Sequence, residues 1–261
     1  MTTTPSSLVN IMIRAAEKAS RRLVRDFGEI ENLQVSKKGP GDFVSRADTM
    51  AEQTLREELL KARPEFGFLG EESGATKGKI NSRFIVDPID GTTNFIHGIP
   101  HFCISIAAEI EGQIKAGVIL DPIKHELFWG ERGMGAFCNG KRLRVAGRSS
   151  LEDAILAVGR PFGQENIQEC NEFLNKILGQ VAGLRRFGSA ALDLAYVAMG
   201  RLDMYYEVNL KPWDIAAGVL LVEEAKGIVT EAGGVATPLP TTSILAANPT
   251  LHALLRQYIG Q

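Results

Sequence analysis

The stretch from about 104 to 145 constrains the fold more than any other part of the chain. It is a series of short β-like runs, CISIAAEI, IKAGVIL, ELFWG and AFC, broken by Glu111-Gly112, Asp121-Pro122, Gly133 and Asn139-Gly140. Asn-Gly suits the two-residue turn of a hairpin. Strands joined by so few residues must run antiparallel, so this region predicts a meander. Helical patterns flank it. Leu8, Ile11, Met12, Ala15, Ala16, Ala19, Leu23 and Phe27 recur at spacings of three and four, with Ser6 or Ser7 to cap the start and Gly28 to end the helix. Helices combined with an antiparallel meander predict a layered α/β sandwich. A parallel dinucleotide-binding sheet is not indicated, because no GxGxxG follows a strand and no GxxxxGK[ST] occurs.

The remaining elements follow the same logic. KKGPGD at 37–42 reads as a Gly/Pro-rich loop. A second helix is predicted over about 47–62, with Leu55, Leu59 and Leu60 inward and Pro64 as its stop. FIVD at 84–87 is a short apolar run ending in a carboxylate, and the PIDGTTNF that follows reads as turn chemistry rather than strand or helix. Further on, the pattern predicts a helix near 165–179, another from Ser189 as cap to Gly200, a strand MYYEV at 204–208, and a helix over about 214–226. There is no internal repeat, so one large domain or two lobes sharing a core is expected.

Composition narrows the partners. Lys and Arg number 29 and Asp and Glu 31, a net charge of −2, which does not suit a default nucleic-acid binder. The pairs Arg21-Arg22 and Arg185-Arg186 and the group Lys141-Arg142-Arg144 read as solvated faces. Cys103, Cys138 and Cys170 are odd in number and lack CxxC spacing, so a disulfide framework or zinc site is not expected and a reducing compartment is. MTTTPSSLVN does not read as a signal peptide, and no apolar run is long enough to span a bilayer. The expectation is a soluble cytoplasmic protein without membrane contact.

The chemistry gathers in LGEESG at 69–74, VDPIDGTTNF at 86–95 and KPWDIAAG at 211–218. Taken singly, an EE pair is usually surface charge, DG a turn, and an Asp opening a helix an N-cap. Together they carry more weight. Asp87 ends an apolar strand, where a lone buried carboxylate is costly. Asp90 can turn back to the same spot across the Pro-containing turn, the Ile89 carbonyl lies between them without an obvious ladder partner, and Asp214 adjoins Trp213. Several ionised carboxylates at one point need protons or cations. The donors are all hard oxygen, which favours Mg²⁺, Mn²⁺ or Ca²⁺, and more than two carboxylates suggest more than one ion. Gly91-Thr92-Thr93 would supply N–H groups and hydroxyls as a phosphate seat if it opens a helix. The combination implies phosphoryl chemistry by in-line attack of a metal-activated water. An aspartyl nucleophile would want Asp-x-Asp, a spacing that is not present.

GEES, DPIDGTTNF and WDIAAG, in this order, resemble the inositol monophosphatase family, and bacterial members of the SuhB type most closely. The likeness extends through DFVSRAD at 42–48, GAFCNG at 135–140, GSAALDLAYVAMG at 188–200 and EAGG at 231–234. The resemblance implies an αβαβα sugar-phosphatase sandwich with mixed, largely antiparallel sheets, usually a homodimer. It implies one domain over 1–261 in two lobes, roughly 1–145 with most metal ligands and 146–261 with the sugar pocket and Asp214. It implies Mg²⁺-dependent, Li⁺-inhibited hydrolysis of a phosphate monoester, with myo-inositol-1-phosphate as leading substrate and two to three ions per site.

Carried over by motif, Glu71, Asp87 and the Ile89 carbonyl would hold the first metal, and Asp87, Asp90 and Asp214 the second. Glu71 would also help a third. Thr92, paired with Asp48, would orient and help deprotonate the attacking water. Gly91 and Thr92 amides would hold the phosphate, and Glu71, Ile89, Asp90 and Asp214 would border the substrate. Glu207 would accept hydrogen bonds from polyol hydroxyls. Gly188, Ser189 and Ala190 would line the sugar pocket with Arg185 just before them, and Lys37 would act on a lid. Ser189 stands where animal relatives carry Thr, and Arg160 where they carry a small polar residue; both bear on sugar preference. Related sugar, histidinol or nucleotide phosphatase activity is the alternative chemistry. An RNA-binding or transcription-partner platform is the alternative of another class, which the charge does not favour.

Overall fold

The computed structural model describes residues 4–29, 35–39, 42–159, 167–235, 239 and 243–259; for 35–39, 42–45, 167, 169 and 170 only the backbone is described. The chain begins with α1 (Ser7–Gly28), whose Ser6 Oγ accepts the Val9 N–H at 3.3 Å as the cap requires. A two-stranded antiparallel hairpin follows, β1 (Val35–Gly39) and β2 (Asp42–Ser45). The loop expected at 37–42 is therefore mostly strand, with 40–41 outside the described residues. The runs VSKKG and DFVS are too short and polar to announce themselves.

Next come α2 (Arg46–Ala62), β3 (Gly67–Gly70), β4 (Gly74–Thr76), β5 (Ser82–Asp90) and α3 (Thr92–Ile96). The meander is β6 (Cys103–Ile110), β7 (Gln113–Asp121), β8 (Glu126–Glu131), β9 (Gly135–Cys138) and β10 (Lys141–Arg142). Asn139 and Gly140 take φ of 47° and 78°, the left-handed pair that a tight hairpin needs. The eight strands β3–β10 form one sheet in the order β10-β9-β8-β7-β6-β5-β3-β4, antiparallel except where β3 runs parallel to β5.

The rest of the chain comprises β11 (Ile155–Val158), α4 (Ile167–Ile177), β12 (Gly183–Arg185), α5 (Ala190–Ala198), β13 (Met204–Val208), α6 (Pro212–Glu224), β14 (Ile228–Thr230), β15 (Ser243–Ala247) and α7 (Pro249–Leu255). The predicted helix near 165–179 is thus shorter, with 165–166 outside the described residues. The helix predicted over 214–226 starts two residues earlier, at Pro212, and ends at Glu224. The second sheet has the order β12-β11-β13-β15-β14, with β11 parallel to both neighbours.

Side-chain alternation stacks these elements. Phe84 and Val86 of β5, with Ile104, Ile106 and Val118, face α1 and α2 residues such as Met12, Leu23, Leu55 and Leu59. Ile85, Ile119 and Phe128 face the other way, onto Leu192 and Leu194 of α5 and Leu220 of α6, and the same core takes in Tyr205 and Ile244 of the second sheet. Met204, Tyr206 and Leu245 point outward onto Phe173 of α4 and Leu251 of α7. The result is an αβαβα sandwich. Its middle helices are buried all round, which explains why α5 is apolar without an exposed stripe. Small residues let these layers approach: a Cβ on Gly117 of β7 would lie 3.0 Å from the Ala217 backbone. Among the described residues no helix is long and apolar enough to cross a membrane.

Candidate active site

The site begins with an irregularity in β5. Asp87 lies opposite Ser105 and Asp90 opposite Cys103, so three steps on β5 match two on β6. This is a β-bulge, and it gives Pro88 a place where no ladder N–H is required. PIDGTTNF is therefore strand, then bulge, then the short helix α3, rather than turn alone. Turn-forming residues mark the bulge, but only pairing with β6 keeps the strand running to Asp90. Gly91 has φ +97° and makes the change from strand to helix; a Cβ there would meet the His101 carbonyl at 3.1 Å.

Local hydrogen bonds fix the acids. Asp87 Oδ1 accepts the Ile89 N–H at 3.0 Å. The Ile89 carbonyl lies 2.9 Å from Thr92 Oγ1, which also lies 3.0 Å from Asp48 Oδ1. One hydroxyl proton can serve only one of these acceptors at a time. Asp48 reaches the site from α2, where it is fully buried. Glu71 follows β3, with its N–H donated to the Val86 carbonyl at 3.2 Å. Asp214 sits in the first turn of α6, and its Oδ2 accepts the Lys211 N–H at 2.6 Å.

Asp90 joins the first sheet to the helices beyond it. Its Oδ2 accepts Ser189 Oγ–H at 2.5 Å and the Ala191 N–H at 2.7 Å. Ser189 stands at the cap position of α5 but makes no capping hydrogen bond with its side chain. The expected cap position of Ser189 is thus met, with the helix ending at Ala198 rather than Gly200, but the Ala191 N–H is taken by Asp90, about a hundred residues earlier in the chain, and Ser189 donates to that carboxylate.

The electrostatics are one-sided. Burial, then the charges of Glu71, Asp90, Asp214 and Asp48, push Asp87 well above the usual carboxylate range. Burial likewise raises Asp214, with Asp90, Glu71 and Glu207 adding to it against the Lys211 N–H. Asp90 is raised by burial to about 6, held there by the Ser189, Ala191 and Ala190 donors. The largest influences on Asp87, Asp90 and Asp214 are burial, other carboxylates and hydrogen-bond donors. Buried acids and oxygen donors form a set suited to hard divalent ions. Among the described residues no three His, Cys, Asp or Glu side chains are already drawn together tightly enough to hold an ion. The acids act on one another through charge.

A second group of residues lies beside the acids. Glu207 shares a face of β13 with Tyr205, whose hydroxyl donates to it. Gly159 gives Glu207 its space, since a Cβ there would fall 1.6 Å from the carboxyl carbon. Arg186 donates to the Gly159 carbonyl at 3.2 Å. Gly188 has φ +80°, and Asn94 Nδ2 donates to the Phe187 and His101 carbonyls, each at 2.8 Å, tying α3 to this segment.

Of the residues singled out in the sequence, Asp48, Glu71, Asp87, Ile89, Asp90, Gly91, Thr92 and Asp214 come together, with Ser189, Ala190 and Glu207 bordering them. Arg185 is exposed on β12, and its guanidinium donates to the Leu184 carbonyl at 2.9 Å. Lys37 belongs to β1; its side chain and Arg160 lie outside the described residues.

Glu52, Asn94 and Asp193 are buried polar residues that sequence reasoning missed. Glu52 is four residues after Asp48, on the same helical face, and that spacing could have flagged it. Asn94 lay within a motif already marked. Asp193 sits inside apolar α5, raised by burial and by the charges of Glu207 and Asp90, and its Oδ1 has no hydrogen-bond partner among the described residues. Nothing local marks its environment.

Comparison with known proteins adds an independent line. The chain is 52% identical over 256 residues to an inositol-1-monophosphatase of Rhizobium meliloti, covering 97% of this chain and 96% of that one. It is 44% identical over 247 residues to the Nus factor SuhB of Pseudomonas aeruginosa, covering 92% and 91%. The crystal structure of the extragenic suppressor protein suhB from Bartonella henselae superposes with a TM-score of 0.95 at 51% identity, covering 98% and 99%. The model of the inositol monophosphatase family matches residues 4–261, nearly the whole length, and the chain belongs to that family.

Proposed function

We propose that this chain is a Mg²⁺-dependent phosphate monoester hydrolase whose leading substrate is myo-inositol-1-phosphate. The observation that carries the reading is Asp87, buried and facing four other carboxylates, beside a Thr92 hydroxyl held by Asp48. Two to three Mg²⁺ ions held by Glu71, Asp87, the Ile89 carbonyl, Asp90 and Asp214 would offset this charge, polarise the ester and activate a water.

The chain's own groups do the positioning. When Thr92 donates to Asp48, its oxygen can accept a hydrogen bond from the attacking water; as the water's proton passes to Thr92, the hydroxyl's own proton passes to Asp48, whose carboxylate is the final base. The N–H groups of Gly91 and Thr92, where β5 turns into α3, seat the phosphate. Ser189 Oγ–H and the Ala191 N–H hold Asp90 Oδ2, and the Ala190 amide also donates to this carboxylate. Glu207 accepts polyol hydroxyls and disfavours a second phosphate by charge. Gly188 and Arg185 border that pocket, and Lys37 acts on the lid. All 261 residues serve one unit, with most metal ligands in the lobe of roughly 1–145 and the polyol pocket and Asp214 in 146–261. The protein works as a homodimer in the cytoplasm.

Phosphate release from inositol-1-phosphate, histidinol phosphate, fructose-1,6-bisphosphate and a 3′,5′-nucleotide tests this, with Mg²⁺, with EDTA, and with Mg²⁺ plus Li⁺. Metal-dependent, Li⁺-sensitive release led by inositol-1-phosphate is expected. Release led by another ester would overturn the polyol assignment while keeping the metal site. Relatives named Nus factor SuhB favour a second reading, a platform for the transcription machinery. Under that reading Asp87→Asn, devoid of hydrolysis, would still support growth in cells that depend on the protein.

A further inference from the structure

Glu52 is 3% exposed on α2 and takes no part in the chemistry described above. Its Oε2 accepts the Glu72 N–H and its Oε1 the Ser73 N–H, each at 2.8 Å. These are the two amides that follow Glu71. The Glu71 N–H itself is held by the Val86 carbonyl of β5 at 3.2 Å. The backbone around Glu71 is thus fastened on one side to the strand that carries Asp87 and on the other to α2. The carboxylate is seated against bare glycine: a Cβ on Gly70 would lie 2.3 Å from Glu52 Oε2. One turn further along α2, Arg56 donates to Ser73 Oγ at 3.4 Å and Thr76 Oγ1 at 2.9 Å, holding the same segment again.

Asp48, Glu52 and Arg56 lie at intervals of four on one face of α2. Asp48 receives Thr92 and Glu52 receives the turn after Glu71. We propose that Glu52 is a positioning residue that sets Glu71 against Asp87, so that one helix registers both ends of the acid cluster. The proposal rests on the reading of Glu71 as a cation ligand.

The chemistry of the seat calls for a carboxylate in particular. Two N–H donors meet two acceptor oxygens. A glutamine offers one acceptor and one NH₂ group, and that NH₂ would face an N–H. Glu52→Gln therefore keeps the volume and breaks one bond of the pair, letting the turn carrying Glu71 relax. Groups that orient metal ligands typically change metal affinity by about 10–100-fold when altered.

The test is a Mg²⁺ titration of the whole protein, followed both by the rise in Tm and by phosphate release from inositol-1-phosphate. Glu52→Gln is expected to raise the Mg²⁺ concentration at half effect by about ten-fold or more in both readouts. At saturating Mg²⁺ its KM for the ester should match the wild type. Gly70→Ala, which crowds the carboxylate out of its seat with the charge intact, is expected to shift the titration in the same direction. It decides the matter if Glu52→Gln does not fold. An unchanged half-effect concentration, with a lower Tm in EDTA alone, would make Glu52 a purely structural brace and overturn the proposal. A wild-type protein whose Tm and activity ignore Mg²⁺ would instead remove the metal reading, and the proposal with it.

Discussion

In the eight-stranded sheet, β6 to β9 each pair with the next strand in sequence through short turns. In the five-stranded sheet β14 pairs antiparallel with its successor β15, but β11 pairs in parallel with β12 across α4 and with β13 across α4, β12 and α5, and β13 pairs with β15 past α6 and β14. The first sheet is assembled largely from local contacts and the second largely from distant ones. The candidate site draws on both. β3 and β5 bring Glu71, Asp87 and Asp90, while α5, α6 and β13 bring Ser189, Asp214 and Glu207. Three of the acids come from the eight-stranded sheet, and Ser189, Asp214 and Glu207 come from the side of the five-stranded one.

The strongest break of this division is Asp87→Asn. It should lower kcat by at least about 10²–10³-fold, the scale of losing a key electrostatic group. The same variant should unfold at a higher temperature than wild type in EDTA, since it removes a buried charge facing four others. Initial rates and calorimetry read both effects.

Cation binding should sharpen the contrast next. At 100 times the Kd of one ion, stabilisation is about 2.7 kcal/mol, or roughly 5–10 °C in Tm for a chain of this size. The gain should grow with pH. Asp90 is raised by burial from 3.8 to about 6, so its contribution to metal-free stability is full below 3.8 and lost as pH rises through about 6. Asp87 and Asp214 are raised in the same sense and add to the loss as pH rises. A series of unfolding scans in EDTA and in Mg²⁺ between pH 5 and 8 checks this, and a gain independent of pH would contradict it.

Gly117→Ala probes the seam between the sheet and α6, where the added methyl would press on the Ala217 backbone at 3.0 Å. Overpacking of this kind costs about 1–3 kcal/mol, and denaturant unfolding measures it. Gly159→Ala tests the distant side alone. Its methyl displaces Glu207, so KM for inositol-1-phosphate should rise about ten-fold, equivalent to about 1.4 kcal/mol. KM for an aryl phosphate without polyol hydroxyls should change little.

Much of the first sheet was legible in the chain. The three-and-four spacing of α1 and the Asn139-Gly140 turn are local signals, readable because hairpins and helices close on near neighbours. The acids of DPID and WDIAAG were legible too, since hard donors beside an apolar run state their chemistry in one dimension. In the second sheet MYYEV was found, but IVT at 228–230 and SILAA at 243–247 were not. Runs of three to five residues carry little periodicity, and no short turn signal joins these two strands, although they pair with each other. Two assignments needed the folded chain. Ser189 is the cap residue by position, and only the approach of Asp90 across about a hundred residues makes its hydroxyl a donor to a carboxylate rather than a capping acceptor. Glu52 looked like one more charged helix residue, until α2 packed against the turn after β3 and gave each of its oxygens an amide. The sequence by itself determined which donors the protein carries and where its local turns fall. The tertiary structure alone decided which acids face one another and which backbone amides hold them, because burial and distance are properties of the packed layers.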